Sequence, residues 1–170
     1  HYYSMNPTSD PALGEGSNYN NDGATGNDAI AIGPFASAKG NHSLALGYRA
    51  ETFHSDVKPL AGEDGYDDNT AIGYNSQAGY RSTALGYNSR ATGGRAVALG
   101  TDALAEENNS TAIGMNAQAT GEQATALGSL AKASGESATA VGEGASALAN
   151  YSSAVGQGAI VDTGASKGTA

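Results

Sequence analysis

Cysteine is absent from all 170 residues, which removes disulfides, thiolate metal sites and cysteine nucleophiles together. The absence does not fix the compartment, but it suits a secreted chain that must stay unfolded in transit. Tryptophan is also missing and only two Phe occur, while the 39% apolar fraction comes largely from Ala. An oil-drop core of Leu, Ile and Phe is therefore excluded as the main source of stability, and a thin, repetitive Ala core is not. Basic residues are scarce: eight Lys and Arg against 17 Asp and Glu give a net charge of −9 and a pI near 4.5. That balance repels a phosphate backbone, so no nucleic-acid partner is expected. No run approaches the roughly 20 consecutive apolar residues that span a bilayer, and His1-Tyr2-Tyr3-Ser4-Met5 has no signal-peptide pattern. No direct membrane contact is expected from these residues, and any export signal or membrane anchor is expected outside them.

Glycine is plentiful, with 25 copies, and its placement is periodic. Ala-(Ile/Leu/Val)-Gly occurs nine times, ending at Gly33, Gly47, Gly73, Gly86, Gly100, Gly114, Gly128, Gly142 and Gly156, and six of the eight spacings are 14 residues. The other two are 26, where one unit carries a 12-residue insertion within 51–68, and 13. Period-2 patterning places the residue before each Gly on one face with the residue two earlier, as in Ile30 with Ile32 and Thr70 with Ile72, giving a short half-buried strand. The Gly ends it at a turn that needs positive φ or close backbone approach. Small residues at the third and fifth positions after the Gly, such as Ala117 with Ala119, predict a second strand with polar side chains such as Gln77, Arg90, Gln118 and Lys132 pointing outward.

Two strands and two turns per unit make one coil of a flattened β-solenoid, and nine coils stand roughly 43 Å tall at about 4.8 Å per rung. The Gly recurrence and the missing 3.6 period exclude helix. Each coil buries little alone, so the chain is expected to be an obligate oligomer, with the Ala pairs at Ala96 and Ala98, Ala124 and Ala126, and Ala138 and Ala140 forming a smooth face for chain-to-chain packing.

The 14-residue unit, best seen at Asn109-Ser110-Thr111-Ala112-Ile113-Gly114, resembles the YadA-like head repeat of trimeric autotransporter adhesins, in register over residues 27–161. The resemblance implies an all-β, left-handed parallel β-roll of 14-residue coils, homotrimeric. It also implies an adhesin head displayed at the bacterial cell surface from the outer membrane, on a stalk and anchor that lie elsewhere. Its partners would be host matrix proteins such as collagen, fibronectin or laminin, host-cell receptors, or other bacterial cells. The chain departs from the collagen-binding pattern, with Thr111 in place of Val and Ala117 in place of the later Ser. On this reading residues 1–26 cap the first coil, and 162–170 form a truncated coil leading toward a neck or stalk.

Candidate ligand-binding residues are Tyr48, Tyr74 and Tyr87, each directly after a repeat Gly, with Arg49, Asn75 and Arg90, and with His54 and Lys58 from the insertion. Arg81 and Arg95 are expected near this patch. No cofactor or metal is expected: the acidic insertion lacks a recognisable Ca²⁺-binding spacing. Most coils lack carboxylates at equivalent outward positions, and no Ser or Cys motif accompanies the histidines, so no enzyme is expected. A Thr column (Thr70, Thr83, Thr111, Thr125, Thr139) raises a stand-alone, ice-binding solenoid as the alternative, although an inward position is expected for it.

Overall fold

In a computed structural model that describes residues 23–53 and 67–164, the chain forms eighteen short strands in two nine-stranded parallel sheets. The first sheet takes the strand before each repeat Gly, from Ile30–Ile32 to Ser153–Val155. The second takes the strand after it, from Ser37–Ala38 to Ile160–Val161. Successive strands of each sheet stack directly, Ala112 over Ala126 over Ala140 in the first and Ala105 over Ala119 over Ala133 in the second. The chain is therefore a parallel β-solenoid with the 14-residue coil as its rung.

The interior is built from methyl groups. The central Ala of each strand in the first sheet, from Ala45 to Ala154, is fully buried, and so are Ala103 with Ala105 and Ala117 with Ala119 from the second sheet. Each rung thus contributes about four small side chains to a continuous core. Where Ser replaces Ala, its hydroxyl donates to a nearby turn carbonyl: Ser76 Oγ to Gly73 O at 3.1 Å, Ser89 Oγ to Gly86 O at 3.1 Å and Ser152 Oγ to Ala149 O at 2.6 Å. These bonds satisfy polar groups that would otherwise be stranded.

This placement corrects the expected sidedness of the first strand. Ala96, Ala98, Ala124, Ala126, Ala138 and Ala140 do not form a face for another chain; they line the interior. The Ile, Leu, Val and Thr residues flanking each central Ala point outward, with Leu85 47% and Val155 59% exposed. The Thr column is likewise outward and half-buried, not inward. The cause is steric. Two sheets joined by such short corners leave a gap that an Ala methyl fills and a Leu side chain overfills.

The repeat Gly satisfies both expected requirements at once. Gly114 has φ +131°, and a Cβ there would stand 2.5 Å from the carbonyl oxygen of Gly128 on the next rung. Each corner also holds a residue near φ +55°, in the left-handed region that Asn and Asp tolerate best. Asn75, Asn88, Asn109 and Asn116 fit that preference, while Arg95, Gln123 and Leu130 do not.

Both irregular spacings fall at the same corner. Glu51–Thr52 pairs in register with Gln77–Ala78, and Asp68 donates its N–H to Asn41 O, so Asp67 and Asp68 belong to the rung and not to the inserted segment. Buried Asp67 does what Asn41, Asn108 and Asn150 do on other rungs: its carboxylate accepts the backbone N–H of Asn41, one rung away, at 2.8 Å. Residues 54–66 lie outside the described residues, and with them the expected protrusion of the insertion. So do most of the expected N-terminal cap, residues 1–22, and residues 165–170 of the expected truncated coil.

Beside this corner Asn69 Nδ2 donates to Phe53 O at 2.7 Å, while Asn69 Oδ1 and Thr52 Oγ1 are buried without a partner among the described residues. Thr52 stands in a column where its neighbours are Ala38 and Ala78. Thr52→Val keeps the shape and removes the orphaned hydroxyl, so it should raise stability by about 1 kcal/mol. A urea melt checks this: a higher midpoint is expected, and a lower one would mean the hydroxyl is satisfied after all.

Candidate functional site

The corner between the two sheets carries the sequence-predicted aromatic column. Tyr48, Tyr74 and Tyr87 occupy one position on three successive rungs, with ring centroids 5.1 Å apart and interplanar angles of 12° and 9°. The parallel rungs impose this spacing, because side chains in register on neighbouring strands repeat at the strand separation. Phe35 closes the upper end edge-on to Tyr48 at 5.6 Å and 74°. The Arg49 guanidinium lies over both rings, 5.7 Å from Phe35 and 5.5 Å from Tyr48. All three tyrosines are exposed.

An amide ladder runs alongside. Asn75 Nδ2 donates to Asn88 Oδ1 at 2.7 Å, and Asn88 Nδ2 donates to Asp102 Oδ1 at 2.6 Å. Arg90 is exposed on the outward face of the second sheet, directly below Gln77 in register. The corner therefore gathers Tyr48, Tyr74, Tyr87, Arg49 and Asn75, with Arg90 two positions along the chain from Asn88. His54 and Lys58 lie outside the described residues.

Arg81 and Arg95 do not join this patch. They occupy the opposite corner, in the column with Asp28, His42 and Asp68, where Arg81 lies over Tyr80 at 5.1 Å and its Nε is 3.9 Å from Asp68. His42 stands between Asp28 and Asp68 at 3.6 and 3.5 Å. Lower on that corner the Tyr151 hydroxyl donates to Glu136 Oε1 at 2.7 Å, and this bond and the carboxylate's charge raise the phenol above its usual 10.0. The contact favours the protonated phenol, so any stability it gives is lost as pH rises through that raised value.

Sequence reasoning missed Phe35, Asn88 and Asp102. Phe35 sits one residue past the Tyr column, behind Pro34, so only the folded corner reveals its contact with Tyr48. Asn88 and Asp102 had a usable signal, since both share Asn75's position in the repeat.

The comparisons with known proteins agree with this geometry. A family model described as the YadA head domain repeat (2 copies) matches residues 24–50 and then, in overlapping segments, 70–159. The chain belongs to the YadA head family. The unmatched stretch between the two regions of this YadA head is the coil carrying the insertion, and the overlapping matches fall on the regular rungs. The family gives an adhesin-type function and is consistent with display at the cell surface. Comparison with curated proteins yields no significant match.

Proposed function

We propose that this head attaches bacteria to host matrix proteins, host-cell receptors or other bacterial cells, acting by multivalent binding and without catalysis. It does so as a homotrimer, held at the bacterial surface by parts of the protein beyond these residues. The observation that carries the trimer is the stripe Ile32, Leu46, Ile72, Leu85, Leu99, Ile113, Leu127, Val141 and Val155 on the outward face of the first sheet. A flat aliphatic stripe of that length exposed to water is a liability in a monomer and an asset between copies. Covering the exposed half of each such side chain contributes on the order of 1 kcal/mol. Three stripes meeting along a common axis bury one another and leave the second sheets and the aromatic corners facing solvent.

Three copies of each weak site raise avidity without any new contact. Beads coated with the purified head should bind saturably to collagen, fibronectin, laminin, mammalian cells or head-displaying bacteria, and beads coated with a monomeric variant should bind far less. Trimeric heads that bind none of these surfaces would refute the proposal. A second reading, as a free-standing ice-binding solenoid, draws on the outward Thr70-Thr83 and Thr111-Thr125-Thr139 columns. Thermal hysteresis in a monomeric sample would favour it.

A further inference from the structure

Over the full sequence acid prevails in both parts of the chain, six basic against ten acidic residues before residue 96 and two against seven from there on. Among the described residues up to 95, Lys39, Arg49, Arg81, Arg90 and Arg95 stand against Asp28, Glu51, Asp67 and Asp68, a net of +1. From residue 96 to 164, Lys132 alone stands against seven acidic residues, a net of −6. The aromatic corner lies in the upper half of the roll, where five of the six cations among the described residues stand.

There, a pair of guanidiniums is left without a carboxylate. Lys39 is neutralised by Glu51 at 2.6 Å, and Arg81 faces Asp68. Arg49 and Arg90 are exposed and have no carboxylate partner among the described residues. Arg49 belongs to the rung of Leu44–Leu46 and Arg90, two positions further round the coil, to the rung of Thr83–Leu85, two rungs below, so their backbones are about 10 Å apart along the axis. That is about the length of a disaccharide. The rung between them supplies Gln77, pointing outward directly above Arg90, and the Tyr74 ring with its phenol.

We propose that this corner binds a linear polysaccharide carrying one carboxylate in every disaccharide, a uronic-acid polymer, with successive carboxylates on Arg49 and Arg90. Guanidinium takes carboxylate through paired, charge-assisted hydrogen bonds. Between those two points the Gln77 amide and the Tyr74 and Tyr87 phenols offer donors and acceptors to sugar hydroxyls. A densely charged polymer fits less well: DNA carries one charge per roughly 1.7 Å, and the net charge of −9 on the chain repels it. In the proposed trimer the corner faces solvent three times over, so the inference deepens the adhesin reading and rests on it.

The test uses the intact head and hyaluronate fragments immobilised on a sensor surface, with neutral dextran and duplex DNA as comparison surfaces. Hyaluronate should be bound with an affinity that falls as salt rises, and dextran and DNA should not be bound comparably. Arg49→Gln with Arg90→Gln should weaken hyaluronate binding at least tenfold, and Lys132→Gln, lower on the roll, should leave it unchanged. Equal binding by the double variant, or equal binding to dextran or DNA, overturns the proposal. Attachment to mammalian cells before and after hyaluronidase separates the two levels. Attachment unaffected by the enzyme sinks this inference and spares the adhesin reading, while no attachment to untreated cells, matrix proteins or bacteria counts against the adhesin reading itself.

Discussion

Gly114→Ala should cost the head about 2 to 6 kcal/mol, although it adds a single methyl group to an Ala-rich protein. Two effects combine. A φ of +131° lies in a region open essentially to Gly alone, which costs an L residue about 1–3 kcal/mol. The new Cβ would also press on the Gly128 carbonyl at 2.5 Å, and that backbone is fixed by the next rung, where Gly128 N donates to Ile113 O at 2.8 Å. Relieving such overpacking costs about 1–3 kcal/mol more. Gly156→Ala separates the terms: its φ is +124°, yet among the described residues no atom lies within 4 Å of a Cβ there. Chemical denaturation of both variants should therefore show a clearly larger loss at Gly114. Equal losses would mean that the rungs do not approach one another as described.

Leu85→Asp is expected to break the proposed trimer. In a single chain Leu85 is 47% exposed, and a substitution at such a position usually changes stability by no more than about 0.5 kcal/mol. In a trimer built on the aliphatic stripe, the same change brings three carboxylates into an apolar seam, where each charge costs several kcal/mol in lost hydration. Mutual repulsion adds to that. The variant should sediment as a monomer or fail to fold. Gln118→Asp, on the outward face of the other sheet, is the matching control and should remain assembled. A Leu85→Asp head as stable and as large as the parent would place the subunit contact elsewhere.

The repeat makes the fold legible from the amino-acid order, because Ala-(Ile/Leu/Val)-Gly at 14-residue spacing fixes both the strand and the rung. The small residues after each Gly also locate the second strand and its inward face. What alternation could not supply was the direction of the first strand. A period of two says that Thr111 and Ile113 share one face and Ala112 the other, and larger apolar side chains are ordinarily the buried ones. Here the larger side chains point outward, since the space between the sheets is filled almost throughout by Ala and Ser, with Thr52 and Val161 the largest side chains of the inward columns. The signal that carried the answer was uniformity: the central position is Ala on all nine strands, while its flanks vary among Ile, Leu, Val, Thr and Ser.

The candidate site was legible to a degree for the same reason. Tyr48, Tyr74 and Tyr87 share a repeat position, and in-register stacking turns a shared position into contact. Arg49 and Asn75 lie one residue further along the corner, where positive φ aims the side chain out of the strand pattern, so their partners Phe35 and Asn88 followed only from the turn geometry. The grouping of Arg81 and Arg95 with the tyrosines failed because closeness in sequence within a coil places residues on opposite corners. The same applies to Asp67 and Asp68, which look like members of an acidic insertion and instead complete a rung.

The proposed assembly rests on the aliphatic stripe being an inner surface shared between copies. The direct test is the solution mass of the purified 16.8 kDa chain by light scattering, with far-ultraviolet circular dichroism to establish that it is folded. A strand spectrum at three times the chain mass is the predicted result. A folded, soluble particle of the single-chain mass would contradict it.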